Sequence, residues 1–342
     1  MTHRPELLIL SGLPASGKST YAKDWLAADP DGRIRVNYDD LRKGMFGENW
    51  VWNRREEEQM KAAARSTVTR AIEAGLSVVV DNTNLSSRVR GSWKQLGQTL
   101  YANVIEHEID TPPSECIRRD RKRITDRVGQ AVIDNMALRY GHLDWNCCPC
   151  GPDHCTCQKC RGTLPIAIVD LDGTVADCTK RLGYIRQYCT QCNEPWEDSL
   201  CRPLVGNCIA TGQPHIKSKK DWGAFFREVA NDKPITLMRD LLHRLAKDHL
   251  IVYVSGRPIN DGPTKVGILT EDWLLNNGFP LDRLLLKQEG HAKAEDFKKE
   301  MLDFIPRDRV SYVFDDCDGC VGMYRRELPR AMVMQVGSSN HT

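Results

Sequence analysis

The sequence has no long hydrophobic run. No uninterrupted apolar stretch approaches the roughly 20 residues that a membrane helix needs. Residues 1–6 lead into a short apolar strand, without the apolar region and small-residue cleavage site of a signal peptide. The first pattern excludes a membrane-spanning protein, and the second argues against secretion. We therefore expect an intracellular, cytoplasmic protein with no membrane partner.

An excess of charge of one sign is also missing, because 48 Lys and Arg residues are balanced by 46 Asp and Glu residues. A chain this close to neutral is not a general binder of polyanions, so a nucleic-acid surface would need locally concentrated basic residues. With 41% hydrophobic and 27% charged residues, the composition is globular and excludes wholesale disorder. At about 150 residues per domain, the length predicts two domains.

Cysteine, in contrast, is abundant: the chain has 14, and most of them cluster. Because intracellular thiols stay reduced, such clusters predict tetrahedral zinc sites more than disulfides. The two predicted ligand sets are Cys147, Cys150, Cys157 and Cys160, and Cys189, Cys192, Cys201 and Cys208. Cys148, His154 and Cys155 leave the first set ambiguous. Reduced thiols without metal are the alternative, and an iron–sulfur cluster is disfavoured because the usual ferredoxin spacings are missing.

Strand and helix signals alternate in two series, which the Cys/Pro/Gly-rich segment 147–162 separates. Strands of continuous Val, Ile and Leu, such as residues 7–10 and 77–80, predict parallel sheets covered on both faces. We therefore predict an α/β fold with two doubly wound parallel-sheet domains, at 1–146 and 163–342. Small Cys-rich, zinc-type modules are expected beside them, one of them the linker 147–162.

Residues 12–19 fit the phosphate-binding pattern G-x-x-x-x-G-K-[ST], and they lie between a strand and a helix, as the motif requires. The glycines let backbone N–H groups approach phosphate oxygens, and the helix N-terminus adds a positive dipole. Lys18 can reach the β- and γ-phosphates, and the Ser19 hydroxyl can bind Mg²⁺. The alternative is a Gly-rich turn with a chance lysine.

Two further groups in the first half suit phosphoryl transfer. Asp39 could take a proton from an attacking hydroxyl, and Arg42 could hold a substrate phosphate; an N-cap carboxylate with a solvated arginine is the alternative. Arg119 and Arg123, four residues apart in the basic run 117–123, share one helix side. They suit a lid over the transferring phosphate, although a solvated helix face has the same composition.

In the second half, three apolar strands end in polar residues that could converge on one site, because ligands bind at the carboxyl ends of parallel strands. The first end is Asp170-Leu171-Asp172-Gly173-Thr174, where one carboxylate can attack phosphorus while the other moves a proton. Ser255-Gly256-Arg257 and Asp315-Asp316 close the other two strands. Lys299 could stabilise the transferring charge, and Mg²⁺ would offset repulsion between nucleophile and phosphate. Alone, the first motif also fits a Ca²⁺-type loop or a turn.

Taken in order, these motifs resemble the phage-type bifunctional polynucleotide 5′-kinase/3′-phosphatase family, in which a P-loop kinase precedes a haloacid-dehalogenase-type phosphatase. The resemblance covers nearly the whole chain except the Cys-rich segments. It implies nucleic-acid end healing: ATP-dependent phosphorylation of 5′-hydroxyl ends and Mg²⁺-dependent removal of 3′-phosphates through an aspartyl-phosphate. It also implies a Cys-rich cap insertion near 185–220. The implied partners are RNA or DNA ends and a ligase acting on the healed ends, while a homo-oligomer and a phage origin stay open.

The resemblance also implies residue roles. In the kinase, Asp39 is the general base, Arg42 contacts the acceptor strand, and the nucleotide, Mg²⁺ and lid contacts come from Gly12, Gly17, Lys18, Ser19, Thr20, Arg119 and Arg123. In the phosphatase, Asp170 is the nucleophile and Asp172 the general acid. Arg181 and Arg257 engage the substrate, while Ser255 and Lys299 hold the phosphoryl group. The predicted Mg²⁺ ligands there are Asp170, Asp172 and Asp316.

Two other functions compete with this interpretation. A small-molecule kinase, acting on a nucleoside or another metabolite and fused to a metabolite phosphatase, would suit the modest net charge. A zinc-dependent nucleic-acid binding protein with relic sites would suit the cysteines. The intact Lys18, Asp39, Asp170 and Asp172 argue against the relic hypothesis, and the arginines at 42, 119 and 123 argue against the metabolite one.

Overall fold

The computed structural model of the chain describes residues 4–48, 50–143, 145, 164–190, 211, 217–288 and 293–337. The chain divides into two compact units, residues 1–160 and 161–342. This division lies inside the predicted linker 147–162, all of which is outside the described residues. The predicted zinc ligands Cys147, Cys150, Cys157, Cys160, Cys192, Cys201 and Cys208 also lie outside them. Cys189 is described, and its side chain is buried.

The N-terminal unit alternates strands with helices, as its sequence predicts. Its elements are β1 Glu6–Ser11, α1 Lys18–Ala27, β2 Arg33–Val36, α2 Tyr38–Phe46, α3 Arg54–Glu73, β3 Ser77–Asp81, α4 Ser87–Thr99, β4 Asn103–Glu108, α5 Pro113–Arg121 and α6 Gln130–Arg139. The four strands form a parallel sheet in the order β2-β3-β1-β4. Strand β1 is therefore interior, and the phosphate-binding segment follows its carboxyl end.

Helices cover both faces of this sheet. Successive side chains of a strand point to opposite faces, so each strand packs against helices on both sides. Leu7 and Ile9 of β1 pack in one core cluster with α3 residues such as Ala64 and Val68. Leu8 of β1 packs in a separate cluster with Ala22 of α1 and, at its edge, Trp25. The uninterrupted apolar strand reflects this two-sided burial, as expected for a doubly wound sheet.

The C-terminal unit repeats the architecture with a different strand order. Its elements are β5 Ile166–Val169, β6 Ala176–Asp177, α7 Trp222–Arg227, β7 Lys233–Pro234, α8 Thr236–Leu245, β8 Leu250–Pro258, α9 Val266–Asn276, β9 Arg283–Lys287, α10 Ala294–Met301, β10 Val310–Asp315, α11 Asp318–Glu327 and β11 Met332–Gln335. The parallel sheet has the order β11-β10-β5-β8-β9. Two parallel α/β sheets were predicted, and both are confirmed.

This order places β5 between β10 and β8, so the three strands whose ends carry the candidate catalytic residues are neighbours. Beyond β5, the short strands β6 and β7 pair antiparallel, and a 3-10 helix spans Thr179–Tyr184. Cys189 and Lys217 pair across the two ends of the predicted cap insertion. None of the described helices combines the length and apolar character that crossing a bilayer would require.

Candidate active sites

The phosphate-binding loop of the N-terminal unit joins β1 to α1. Gly12 has φ 146°, and a Cβ there would lie 2.7 Å from the carbonyl oxygen of Ile109, so the tight turn requires glycine. Lys18 begins α1 and folds back over the loop, where its Nζ donates to the carbonyl oxygens of Gly12 and Leu13 at 3.0 and 2.6 Å. The loop therefore holds its lysine in place before any phosphate arrives.

A cavity of about 330 Å³ lies over this loop. Its lining consists of Ala15, Ser16, Gly17, Lys18, Ser19, Thr20, Arg119 and Arg123. Arg119 donates from Nη1 to the carbonyl oxygen of Ser16 at 2.9 Å. The structure thus brings both arginines of the basic run to the phosphate loop, which is the position that a lid role requires.

Burial lowers the pKa of Lys18 to about 8, although the nearby charges of Asp81 and Asp39 act in the opposite direction. Asp81 ends β3 and is itself buried. Its Oδ2 accepts from Arg35 at 2.8 Å, but among the described residues no group donates to its Oδ1. An unsatisfied buried carboxylate oxygen near Lys18, together with the exposed Ser19 hydroxyl, fits Mg²⁺ bound with a nucleotide. Asp81 is not among the Mg²⁺ ligands that the sequence predicts.

Asp39 and Arg42 lie in the first turns of α2, which Asn37 caps by accepting from the N–H groups of Asp39 and Asp40. Arg42 donates from Nη1 to Oδ1 of Asp39 at 2.6 Å. Its Nε and Nη2 also donate to the carboxylate of Glu57 at 2.9 and 3.0 Å. This two-point contact fixes the guanidinium plane, so Glu57 of α3 orients Arg42. No local sequence motif marks Glu57, so its contact with Arg42 was not predicted from the sequence.

In the C-terminal unit, three carboxylates meet at the ends of β5 and β10. Asp170, Asp315 and Asp316 each offer an oxygen, and these oxygens lie within 4.8 Å of one another. Burial, with help from neighbouring carboxylates, raises the pKa of Asp170 to about 7 despite the charge of Lys298, and raises that of Asp316 to about 8. Close, desolvated carboxylates of this kind fit a hard divalent cation such as Mg²⁺. Asp315 is therefore a further candidate ligand.

The structure corrects the prediction for Lys299. Lys298, not Lys299, reaches the carboxylates: its Nζ lies 2.8 Å from Asp170 and 2.6 Å from Asp315. Burial would lower its pKa, but the charges of Asp170 and Asp315 hold that pKa well above its usual value. Lys299 is exposed and pairs with Glu327 at 3.0 Å. Phe297 and Met301 are four residues apart and mark the buried face of α10. Lys298 lies on this face, so the apolar spacing could have identified Lys298 as the buried lysine.

The structure places the Asp172 carboxylate apart from the three clustered carboxylates. Asp172 is absent from the carboxylate cluster that the described residues form, and it accepts instead from Arg181 and from Nε of Arg257, the latter at 3.0 Å. Burial would raise the pKa of Asp172, but the charges of Arg257 and Arg181 lower it well below its usual range. In this arrangement Asp172 is ionised and holds no proton to donate.

Asp232, which follows α7 and was missed from the sequence, orients both arginines. It accepts from Nε of Arg181 at 2.7 Å and from Nη2 of Arg257 at 3.0 Å. Both guanidinium groups are almost fully buried. Two buried cations held this way near Asp170 suit an anionic substrate, since their geometry is fixed in advance. The predicted convergence of Asp170, Asp172, Arg181 and Arg257 is thus present.

A cavity of about 440 Å³ opens above these groups, and Asp170, Asp172, Ser255, Arg257, Lys298 and Asp316 line part of it. Ser255 lies in β8 with its side chain buried at this edge of the sheet. Cys317 and Cys320, which the sequence had not linked to any site, line the same cavity. The residues predicted for phosphatase chemistry, except Lys299, therefore surround one space or contact a residue that does.

Two family models match separate parts of the chain. A family model described as AAA domain matches residues 7–143, and one described as polynucleotide kinase PNKP phosphatase domain matches residues 218–341. A protein of Autographa californica nuclear polyhedrosis virus, named as a bifunctional polynucleotide kinase/RNA ligase, is 29% identical over 130 residues. That match covers 34% of this chain, and the chain spans only 18% of the viral protein.

Two other similar proteins are a small-molecule kinase and a chain of a solved complex. An adenylyl-sulfate kinase of Pseudomonas aeruginosa is 31% identical over 136 residues, which are 39% of this chain and 68% of that enzyme. A solved structure titled as the Pnkp1/Rnl/Hen1 RNA repair complex contains a chain 21% identical, with a TM-score of 0.37, covering 99% of this chain and 98% of that one.

Proposed function

Because the chain is a P-loop kinase of the AAA type fused to a phosphatase of the polynucleotide kinase PNKP family, we propose that it heals polynucleotide ends. The N-terminal unit phosphorylates 5′-hydroxyl ends with ATP, and the C-terminal unit hydrolyses 3′-phosphate ends. The observation that carries the proposal is a pair of residue groups in separate units, one around Lys18 and one around Asp170, each of which suits phosphoryl transfer.

In the kinase reaction, Lys18 binds the β- and γ-phosphates, and Arg119 and Arg123, which line the same cavity, contact the transferring group. Asp39 accepts the proton of the attacking 5′-hydroxyl. Arg42, fixed by Glu57, binds a phosphate of the acceptor strand. Mg²⁺, for which Ser19 and Asp81 supply oxygens, would neutralise phosphate charge.

In the phosphatase reaction, the Asp170 carboxylate attacks phosphorus and the 3′-oxygen leaves, giving an aspartyl-phosphate that water then hydrolyses. Asp170 with Asp315 and Asp316 would hold Mg²⁺, which offsets repulsion between nucleophile and phosphate. Lys298 holds Asp170 in position, and Ser255 contacts the phosphoryl oxygens.

Asp172 acts as the general acid only after it leaves the two arginines. An anionic substrate group that binds Arg181 and Arg257 competes for the same donors. Once released, Asp172 loses the two positive charges that depress its pKa, so it can take up a proton. Substrate binding thereby prepares the acid that protonates the leaving 3′-oxygen.

The healed ends carry a 5′-phosphate and a 3′-hydroxyl, the pair that a ligase joins. The name of the viral relative unites a polynucleotide kinase with an RNA ligase, which supports a ligase as the partner that consumes the product. We propose RNA or DNA ends as the substrates. We also propose structural zinc sites at the clustered cysteines, and domain limits at 1–146 and 163–342.

The test is a dual assay on 5′-hydroxyl and 3′-phosphate oligonucleotides, RNA and DNA in parallel, with bound zinc quantified. We expect Lys18→Ala to abolish kinase activity and leave phosphatase activity, and Asp170→Asn to do the reverse. Loss of both activities from either substitution would contradict two independent sites.

The second candidate is a small-molecule kinase fused to a metabolite phosphatase, which the match to an adenylyl-sulfate kinase favours. Adenylyl sulfate and nucleosides therefore belong in the kinase assay as competing acceptors. Turnover of one of them, without transfer to the oligonucleotides, would support this candidate instead.

A further inference from the structure

The phosphatase cavity has a second wall that the phosphoryl chemistry does not use. Besides the carboxylates, apolar side chains line the cavity: Leu182, Ile185, Trp222, Phe225 and Phe226. At about 440 Å³ the cavity falls within the range of about 300–1,000 Å³ that holds a whole small ligand. An enzyme that bound only the phosphoryl group would not need this apolar space.

Trp222 differs from the other aromatic residues of this wall. Phe225 is 5% exposed and belongs to the small core that Cys178 and Leu182 form, whereas Trp222 is 45% exposed and lies outside that core. An exposed indole on a cavity wall contributes little to folding, because most of its apolar surface stays in contact with water. Its place at the cavity therefore favours a role in binding.

The aromatic wall is also held in a fixed geometry. The Trp222 ring stacks on Phe226 with 5.8 Å between centroids and an interplanar angle of 21°. Phe225 meets Trp222 edge-on, at 5.5 Å and 81°. The Asp221 carboxylate caps α7 by accepting from the N–H of Ala224 at 2.8 Å. The capped helix and the two phenylalanines thus hold the Trp222 ring in a fixed orientation at the cavity wall.

Lys220 adds a positive charge to this ring, since its Nζ lies over the Trp222 indole, 5.7 Å from its centre. A flat aromatic surface bordered by a cation suits a ligand with a π-face and a negatively charged backbone, which is the combination that a nucleotide offers. Neither feature suits a free metabolite phosphate without a ring.

We propose that Trp222 is the stacking platform for the nucleobase of the 3′-terminal nucleotide while its phosphate lies at Asp170. This inference rests on the proposed 3′-phosphatase function and deepens it, because it assigns the part of the substrate next to the scissile bond. Every base has a π-face, so the platform accepts all four bases and discriminates a nucleotide from an abasic end.

The experiment compares two 3′-phosphate oligonucleotides that differ only at the last residue, a nucleotide in one and an abasic sugar in the other. The proteins are the full chain and its Trp222→Ala, Trp222→Phe and Tyr184→Ala variants. Tyr184 is the matched control, since it is an aromatic of the same unit with 42% exposure that does not line the cavity.

We expect Trp222→Ala to raise KM for the nucleotide end by roughly 5- to 100-fold, since base–aromatic stacking is worth about 1–3 kcal/mol. KM for the abasic end should not change, which also shows that the variant is folded. Trp222→Phe should restore most of the affinity, and Tyr184→Ala should match the wild type.

Equal losses on both ends would show a structural role for Trp222 and overturn the proposal, as would an unchanged KM for the nucleotide end. If the wild-type enzyme has the same KM for both ends, the stacking proposal is wrong, but the proposed phosphatase function is not affected. A wild-type enzyme that hydrolyses neither end would overturn the proposed function itself and this inference with it.

Discussion

Lys298 and Lys299 are adjacent and chemically identical, yet the structure predicts opposite consequences for their removal. Lys298 is buried between Asp170 and Asp315, at 2.8 and 2.6 Å, whereas Lys299 lies in solvent beside Glu327. Lys298→Met leaves buried carboxylates without their neutralising charge, which costs about 3–5 kcal/mol of unfolding free energy when one partner of a buried pair is lost. Lys299→Met should cost far less, because exposed pairs are screened by water.

The two substitutions should also differ in their effect on phosphatase activity. Since Lys298 stabilises charge at the nucleophile, Lys298→Met should lower phosphatase kcat by about 10²–10³-fold, as loss of one preorganised electrostatic contact does. Lys299→Met should retain wild-type phosphatase activity. The kinase activity of each protein is the internal control, since its site lies in the other unit.

The measurements are phosphatase and kinase rates on matched oligonucleotides, and urea unfolding of both variants in EDTA and in Mg²⁺. Because Mg²⁺ at the three carboxylates supplies positive charge, it should recover part of the stability that Lys298→Met loses. Phosphatase loss in Lys299→Met equal to that in Lys298→Met, or near-wild-type turnover by Lys298→Met, would refute the reasoning.

Two further predictions concern Arg42 and the carboxylate cluster. Glu57→Gln should raise the kinase KM for the 5′-hydroxyl strand by roughly 10- to 100-fold, the equivalent of a charge-assisted hydrogen bond of about 1.5–3 kcal/mol, without changing the KM for ATP. Glu58→Gln, on the same helix but paired with Lys61 at the surface, is its control, and an equal effect of both would contradict the assignment. Burial and like charge raise the pKa of Asp170 to about 7 and of Asp316 to about 8, so these two carboxyl groups bind more protons in the folded, metal-free protein than in the unfolded chain, whereas Cys317, whose pKa is lowered to about 5, acts in the opposite direction. The contribution of Asp316 is isolated by the difference in melting temperature between the wild type and Asp316→Asn in EDTA. This difference should shift against the wild type as the pH rises through 7 to 8, and Mg²⁺ should bind the wild type more tightly over the same interval; a difference that shifts in favour of the wild type would contradict this.

The sequence by itself determined both sheets and the chemistry at their edges. A glycine-rich turn between a strand and a helix can be read locally, and so can aspartates that end apolar strands, because the spacing of these residues along the chain sets their geometry. The positions of Lys18, Asp39, Asp170 and Asp316 follow from that rule. The order of the two domains follows from the order of their motifs.

Only the tertiary structure decided how these residues are held. Glu57 meets Arg42 across 15 residues, and Asp232 meets Arg181 across 51. Such contacts depend on how helices and loops pack on the sheets, which no local spacing encodes. Lys298 rather than Lys299 reaches Asp170 because adjacent residues of a helix point about 100° apart, and the burial of Phe297 and Met301 selects the face that turns inward.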